Sequence, residues 1–82
     1  MSLPDDFEAA VARVNGLAVA PASSTLLELY GLYKQATAGD ATGARPGFTD
    51  FKGRAKYDAW ASRKGMTRDA AMNAYIAAAG KL

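Results

Sequence analysis

Glycine closes four stretches of this chain, at Gly16, Gly39, Gly65 and Gly80, and each stretch ahead of it carries apolar residues three or four apart. That spacing is the period of a helix with one buried face, and a glycine just past the last periodic residue is a common helix stop. Nineteen alanines among 82 residues strengthen the helical reading over a sheet. The expected fold is all-α, with four helices sharing one modest core. A chain of this length has room for one such domain, residues 1–82.

The first helix is expected from Pro4 to Asn15, capped by Ser2 or Asp5, with Phe7, Ala10, Val11 and Val14 along its apolar stripe. The second is expected from about Ser24 to Ala38. Ser23, Ser24 and Thr25 all suit its cap, and Thr25 with Glu28 has the spacing of a capping box. Leu26, Leu29, Tyr30, Tyr33 and Thr37 fall on one side, with Leu27 and Lys34 on flanking faces. Residues 39–50, with three glycines and a proline, read as a loop pinned by Phe48. The third helix is expected from Phe51 to Arg63, with Phe51, Ala55 and Ala59 on one face and Lys52, Lys56 and Trp60 on the next. Thr67 caps a fourth, from Arg68 to Ala79, striped by Met72, Tyr75, Ile76 and Ala79. Phe7, Val11 and Met72 are read as core and Trp60 as a packing residue.

Several chemistries are excluded by composition. The chain has no Cys and no His, hence no thiolate nucleophile, no Ser-His-Asp triad and no imidazole or thiolate metal ligand. No phosphate-loop or dinucleotide fingerprint is present. Asp40, Asp50 and Asp58 read as capping and surface residues rather than paired catalytic carboxylates. No stretch approaches the roughly 18 apolar residues of a membrane span, and the acidic start MSLPDDFEAA is unlike a secretory signal. A cytoplasmic, non-catalytic binding protein without cofactor or metal is therefore the expected class.

Charge is unevenly placed. Residues 1–33 hold one base and four acids (−3), whereas residues 34–68 hold eight bases and three acids (+5). A concentrated positive field attracts anions. Tyr30, Tyr33 and Lys34 are neighbours on one helix, where they join hydroxyl donors, an ammonium and aromatic faces, as a phosphate and a purine require. Lys52 and Lys56 repeat the theme one helix later. The same residues also fit a plainer reading, with tyrosines packed at the core's edge and lysines in water.

The strings PASSTLLELYGLYKQATAGD (Pro21–Asp40), RPGFTDFKGRAKYDAW (Arg45–Trp60) and DAAMNAYIAA (Asp69–Ala78) resemble the acyl-CoA-binding protein family. The resemblance implies an up-down-down-up four-helix bundle that carries fatty acyl-CoA thioesters without catalysis. It implies that Tyr30, Lys34 and Lys56 hold the ribose 3′-phosphate, that Tyr33 neighbours the adenine or ribose, and that Tyr75 contacts the head group. Lys52 would lie near the pantetheine or acyl end, with Leu26 and Leu27 walling the acyl groove. Asn15 stands where many members carry a basic residue, with Arg13 on a different face. Tyr57 stands where many carry Trp, Ser24 replaces a usual acid, and the end at Leu82 implies a short fourth helix. The partners implied are fatty acyl-CoA as ligand and transient contact with membranes or acyl-CoA-using enzymes, the protein itself a monomer without nucleic acid. A thioester carrier also gains from a site free of thiols and imidazoles. Two competing readings are a nucleic-acid module using Lys52, Arg54, Lys56, Arg63 and Lys64, and a protein-interaction domain of the same fold without ligand.

Overall fold

The computed structural model describes residues 2–82, which form four helices. These are α1 (Leu3–Asn15), α2 (Ser23–Ala38), α3 (Phe51–Ala61) and α4 (Arg68–Ala79). Ser2 caps α1 by accepting the Asp5 N–H at 3.3 Å, and the proline sits in the first turn. Thr67 caps α4 by accepting the Ala70 N–H at 3.0 Å. Asp50 caps α3 through Gly53 N–H at 3.0 Å. These local rules operate as the side chains dictate.

Two boundaries differ from expectation. The α2 N-cap is Ala22, which makes no side-chain cap bond, and Ser23 is already helical. None of Ser23, Ser24 or Thr25 is therefore the cap; the extended backbone at Ala22 leads directly into the first turn. Helix α3 stops at Ala61 rather than Arg63. Beyond it the N–H groups of Arg63 and Lys64 bond three residues back, to Trp60 and Ala61, which tightens the end into turns before Gly65.

Helices α2 and α4 pack on each other at the centre; α4 also lies against α1, and α2 against α3. The backbones of α1 and α2 do not approach closely; the two helices meet through the rings of Phe7 and Tyr33, whose centroids lie 6.0 Å apart. The core consists of Phe7 from α1, Leu29, Leu32 and Ala36 from α2, and Ala71, Tyr75 and Ala79 from α4. Phe7 meets Tyr75 edge to face at 5.2 Å, a favoured aromatic geometry. Val11 and Met72 are only partly buried but pack against this cluster. Helix α3 buries no residue completely. The Cα envelope is flat, 41 × 30 × 14 Å, so much of each helix stays near a surface. Among the described residues no helix is long and apolar enough to cross a membrane.

The loop from 39 to 50 is not held by Phe48, whose side chain is 78% exposed and carries only the Arg54 guanidinium over its ring. Polar contacts from α3 hold the loop instead. Trp60 Nε1–H donates to the Gly39 carbonyl at 2.7 Å, and Tyr57 Oη–H to that of Gly43 at 3.0 Å. Arg45 and Asp58 form a two-pronged pair at 2.7 and 2.6 Å. Phe51 shares its face of α3 with Ala55, as expected, but its side chain is 80% exposed.

Gln35 is the one fully buried polar side chain among the described residues. Its amide donates to Asp40 Oδ1 at 2.8 Å and to the Met66 carbonyl at 2.9 Å, and Gly65 N–H donates to the same Asp40 oxygen at 2.9 Å. The clamp joins the loop after α2 to the loop before α4. The Gly65 N–H first, and the Gln35 amide second, hold the Asp40 carboxyl below its ordinary value of 3.8. A depressed carboxyl stabilises the fold above its unfolded pKa, and the contribution is lost as pH falls through the folded value. Asp40→Ala is therefore expected to lower the thermal midpoint at pH 7, and the gap from the native chain to narrow as melts are repeated below pH 4.

Candidate functional site

Because α1 and α2 splay apart over α4, an open bowl lies between them. Its volume is about 270 Å³, and Val11, Val14, Asn15, Leu26, Leu29, Tyr30, Tyr33 and Tyr75 line it. Helix α4 supplies the floor through Tyr75, which is buried at 3% exposure. Burial, and then the neighbouring Tyr33, push the Tyr75 hydroxyl above its ordinary pKa, so it remains a neutral donor across the physiological range. The α2 wall carries Tyr30 and, one turn on, Tyr33, which is 38% exposed. The bowl thus presents aliphatic walls and three phenols. A shallower depression of about 330 Å³ continues along α1 past Phe7, Glu8, Val11, Ala12 and Asn15 to Tyr33 and Thr37.

A second opening lies between α2 and α3. This groove of about 440 Å³ is lined by Ser23, Leu26, Leu27, Phe51, Lys52, Ala55 and Lys56. Leu26 borders both openings. Tyr30 bridges them in another way, since Lys56 Nζ lies 5.5 Å from its ring centroid. Apolar walls with two ammonium groups at the edge suit an elongated apolar ligand with an anionic end.

Of the ligand-site residues expected from the sequence, Tyr30 and Tyr33 from α2 and Tyr75 from α4 line the bowl, Lys52 and Lys56 from α3 line the groove, and Leu26 is shared between them. Leu27 lines the groove and Asn15 the bowl. Lys34 lines none of these surfaces. Its Nζ lies 4.7 Å from the Trp60 ring centroid, a cation–π arrangement that keeps the ammonium beside α3. Arg13 lies elsewhere, donating to the Ala79 carbonyl at 2.6 Å and to the Leu82 carbonyl at the C-terminal end of α4.

Sequence reasoning misses three contributors. Val11 and Val14, expected only on the α1 core stripe, face the bowl. Gly31 carries no expectation of its own, yet a Cβ there would lie 2.8 Å from the Ala59 carbonyl carbon. Its lack of a side chain lets α2 and α3 approach closely enough to put Lys56 beside Tyr30. The signal available is a glycine inside an otherwise strong helix, which calls for a packing reason.

The fold and its two openings define a small helical module with one concave, tyrosine-rich face bordered by lysines. The family model described as "Acyl CoA binding protein" matches residues 4–79, and the chain belongs to that family. It is 50% identical to an acyl-CoA-binding protein homolog of Manduca sexta over 78 residues, covering 94% of this chain and 87% of that protein. It is 49% identical to an acyl-CoA-binding protein of Brassica napus, covering 93% and 83%. The crystal structure of Oryza sativa acyl-CoA-binding protein 2 superimposes with a TM-score of 0.93 at 39% identity, covering 98% of this chain and 87% of that one. The fold is the up-down-down-up bundle of this family.

Proposed function

We propose that this chain binds medium- to long-chain fatty acyl-CoA thioesters and carries or buffers them in the cytoplasm, as a monomer and without catalysis, residues 1–82 acting as one binding domain. The observation that carries the reading is the adjacency of the phenol-lined bowl to the lysine-edged apolar groove, with Leu26 and Tyr30 between them. One opening suits a polar, aromatic head group and the other an alkyl tail. Family membership and relatives named for acyl-CoA binding support the same assignment.

In this reading Tyr30, Lys34 and Lys56 take the ribose 3′-phosphate, and Lys34 swings off Trp60 to reach it. Tyr33 stacks near the adenine or ribose, and Tyr75 donates to the head group from the floor. Lys52 guards the pantetheine or acyl end, while Leu26 and Leu27 flank the tail. Asn15 borders the head-group end without adding charge. A continuous basic face for nucleic acid is less well supported. Arg54 is engaged over Phe48, and the Arg63 Nε is enclosed.

Each buried methylene is worth about 0.8 kcal/mol, roughly fourfold in affinity. Isothermal titration is therefore expected to show dodecanoyl-CoA binding far more tightly than free CoA, and tetradecanoyl-CoA about fifteenfold more tightly still. Equal affinity for free CoA and both esters would remove the carrier reading.

A further inference from the structure

We propose that Asn15 is a specificity-determining residue of the bowl, its carboxamide reading the edge of an adenine base. The inference rests on the acyl-CoA reading above and adds to it which side of the site takes the base and what selects it. Asn15 ends α1, is exposed, and lines both the bowl of about 270 Å³ and the adjoining depression of about 330 Å³. Its side chain is a neutral amide, with an acceptor oxygen and N–H donors side by side. The side-chain hydrogen bonds at α1 are made by Ser2 and Arg13, and the Asn15 carboxamide makes none among the described residues. Its donors and its acceptor are therefore open to a ligand in the bowl.

The surroundings of Asn15 favour a base over a phosphate. Among the described residues no charged side chain lines the bowl, and the sequence carries none from Val14 to Leu27. Arg13, the nearest cation along the chain, is turned to the Ala79 and Leu82 carbonyls. The charged residue that lines the depression is Glu8, an acid. Anionic groups are therefore drawn to the opposite side, where Lys56 stands beside Tyr30. What α1 offers is apolar and uncharged. Val11 and Val14 form a wall, and across from it Tyr33 supplies a ring steadied against Phe7 at 6.0 Å. A flat heteroaromatic ring suits such surfaces. Asn15 lies one helical turn beyond Val11 on the same rim. Adenine presents an amino donor next to a ring-nitrogen acceptor, and a carboxamide matches that pair with its own acceptor and donor.

The test compares free CoA with its etheno analogue, in which a bridge across the adenine leaves the exocyclic nitrogen no hydrogen to donate. Both are titrated into the native chain and into Asn15→Leu, with palmitoyl-CoA alongside. The native chain is expected to bind CoA about tenfold more tightly than the analogue. Asn15→Leu is expected to lose about tenfold for CoA and to change little toward the analogue, so that the preference nearly disappears. Its circular dichroism is expected to match that of the native chain, since residue 15 is exposed. A preference retained in full by Asn15→Leu overturns the assignment. An equal loss for both ligands also overturns it, in favour of a ribose or phosphate contact. A preference that Asn15→Leu abolishes, with palmitoyl-CoA bound no more tightly than free CoA, upholds the assignment and removes the carrier reading. Tight palmitoyl-CoA binding with no preference between the two bases removes the assignment and leaves the carrier reading standing. Failure of the native chain to bind any of the three ligands removes both.

Discussion

Replacing Gly31 by alanine is expected to lower the thermal midpoint by about 10 °C. The new Cβ would lie 2.8 Å from the Ala59 carbonyl carbon and 3.3 Å from the Trp60 nitrogen, both backbone atoms that no rotamer change can move aside. Overpacking of this severity costs about 3 kcal/mol, and alanine returns about 1 kcal/mol in helix propensity over glycine. The remainder of about 2 kcal/mol corresponds to the stated shift in a domain of this size. Gly47→Ala is the control, since a methyl group there would meet nothing within 4 Å and the Gly47 backbone is not in the left-handed region. The Gly31 variant relieves the collision by moving α3 outward, which draws Lys56 away from Tyr30 and opens the groove. A midpoint within a degree of native would show that α2 and α3 do not depend on this close approach.

The same contact explains which parts of the fold are legible in the sequence. Helix α4 is readable from Arg68 to Ala79 because its cap, its stripe and its stop are all local features. Helix α2 is harder. Its expected stripe runs through Leu26, Leu29, Tyr30, Tyr33 and Thr37, whereas its buried residues are Leu29, Gly31, Leu32, Gln35 and Ala36. A helix packed between two neighbours is apolar on more than one side, so periodicity alone does not separate the face that packs from the face that lines a cavity. Gln35 is invisible for a related reason: its burial depends on Asp40 and Met66, one in the next loop and one 31 positions away. Phe48 and Phe51 show the converse error. Their hydrophobicity suggests burial, but α3 meets α2 through Gly31 and Ala59, and the large rings fall beyond that contact.

The candidate site is more legible than the core, because Tyr30, Tyr33, Lys52, Lys56 and Tyr75 stand out by chemical type and family likeness rather than by packing. Lys34 is the instructive case. Its position beside Tyr33 suggests convergence with the phenols, yet its ammonium rests over Trp60, an aromatic partner supplied by a helix 26 positions on. Adjacency along one helix fixes where a long side chain begins and leaves its reach to the tertiary neighbours.

Lys34→Ala and Lys56→Ala are expected to weaken CoA binding by roughly 10- to 150-fold each, because a charge-assisted hydrogen bond to phosphate contributes about 1.5–3 kcal/mol. If both ammonium groups meet the same 3′-phosphate, the losses have three further marks. They should be equal for free CoA and palmitoyl-CoA, since neither lysine then senses the tail. They should nearly vanish with dephospho-CoA, which lacks that phosphate. The double variant should lose less than the product of the two single losses, because one anion couples both cations. Lys34 adds an optical mark of its own: its departure from the Trp60 ring on binding should change the fluorescence of the chain's single tryptophan, and Lys34→Ala should abolish that change. Stability should move little in Lys34→Ala, given that an exposed cation–π contact contributes about 0.5–1 kcal/mol. A loss that persists undiminished with dephospho-CoA would place Lys34 and Lys56 on the pyrophosphate or the tail instead.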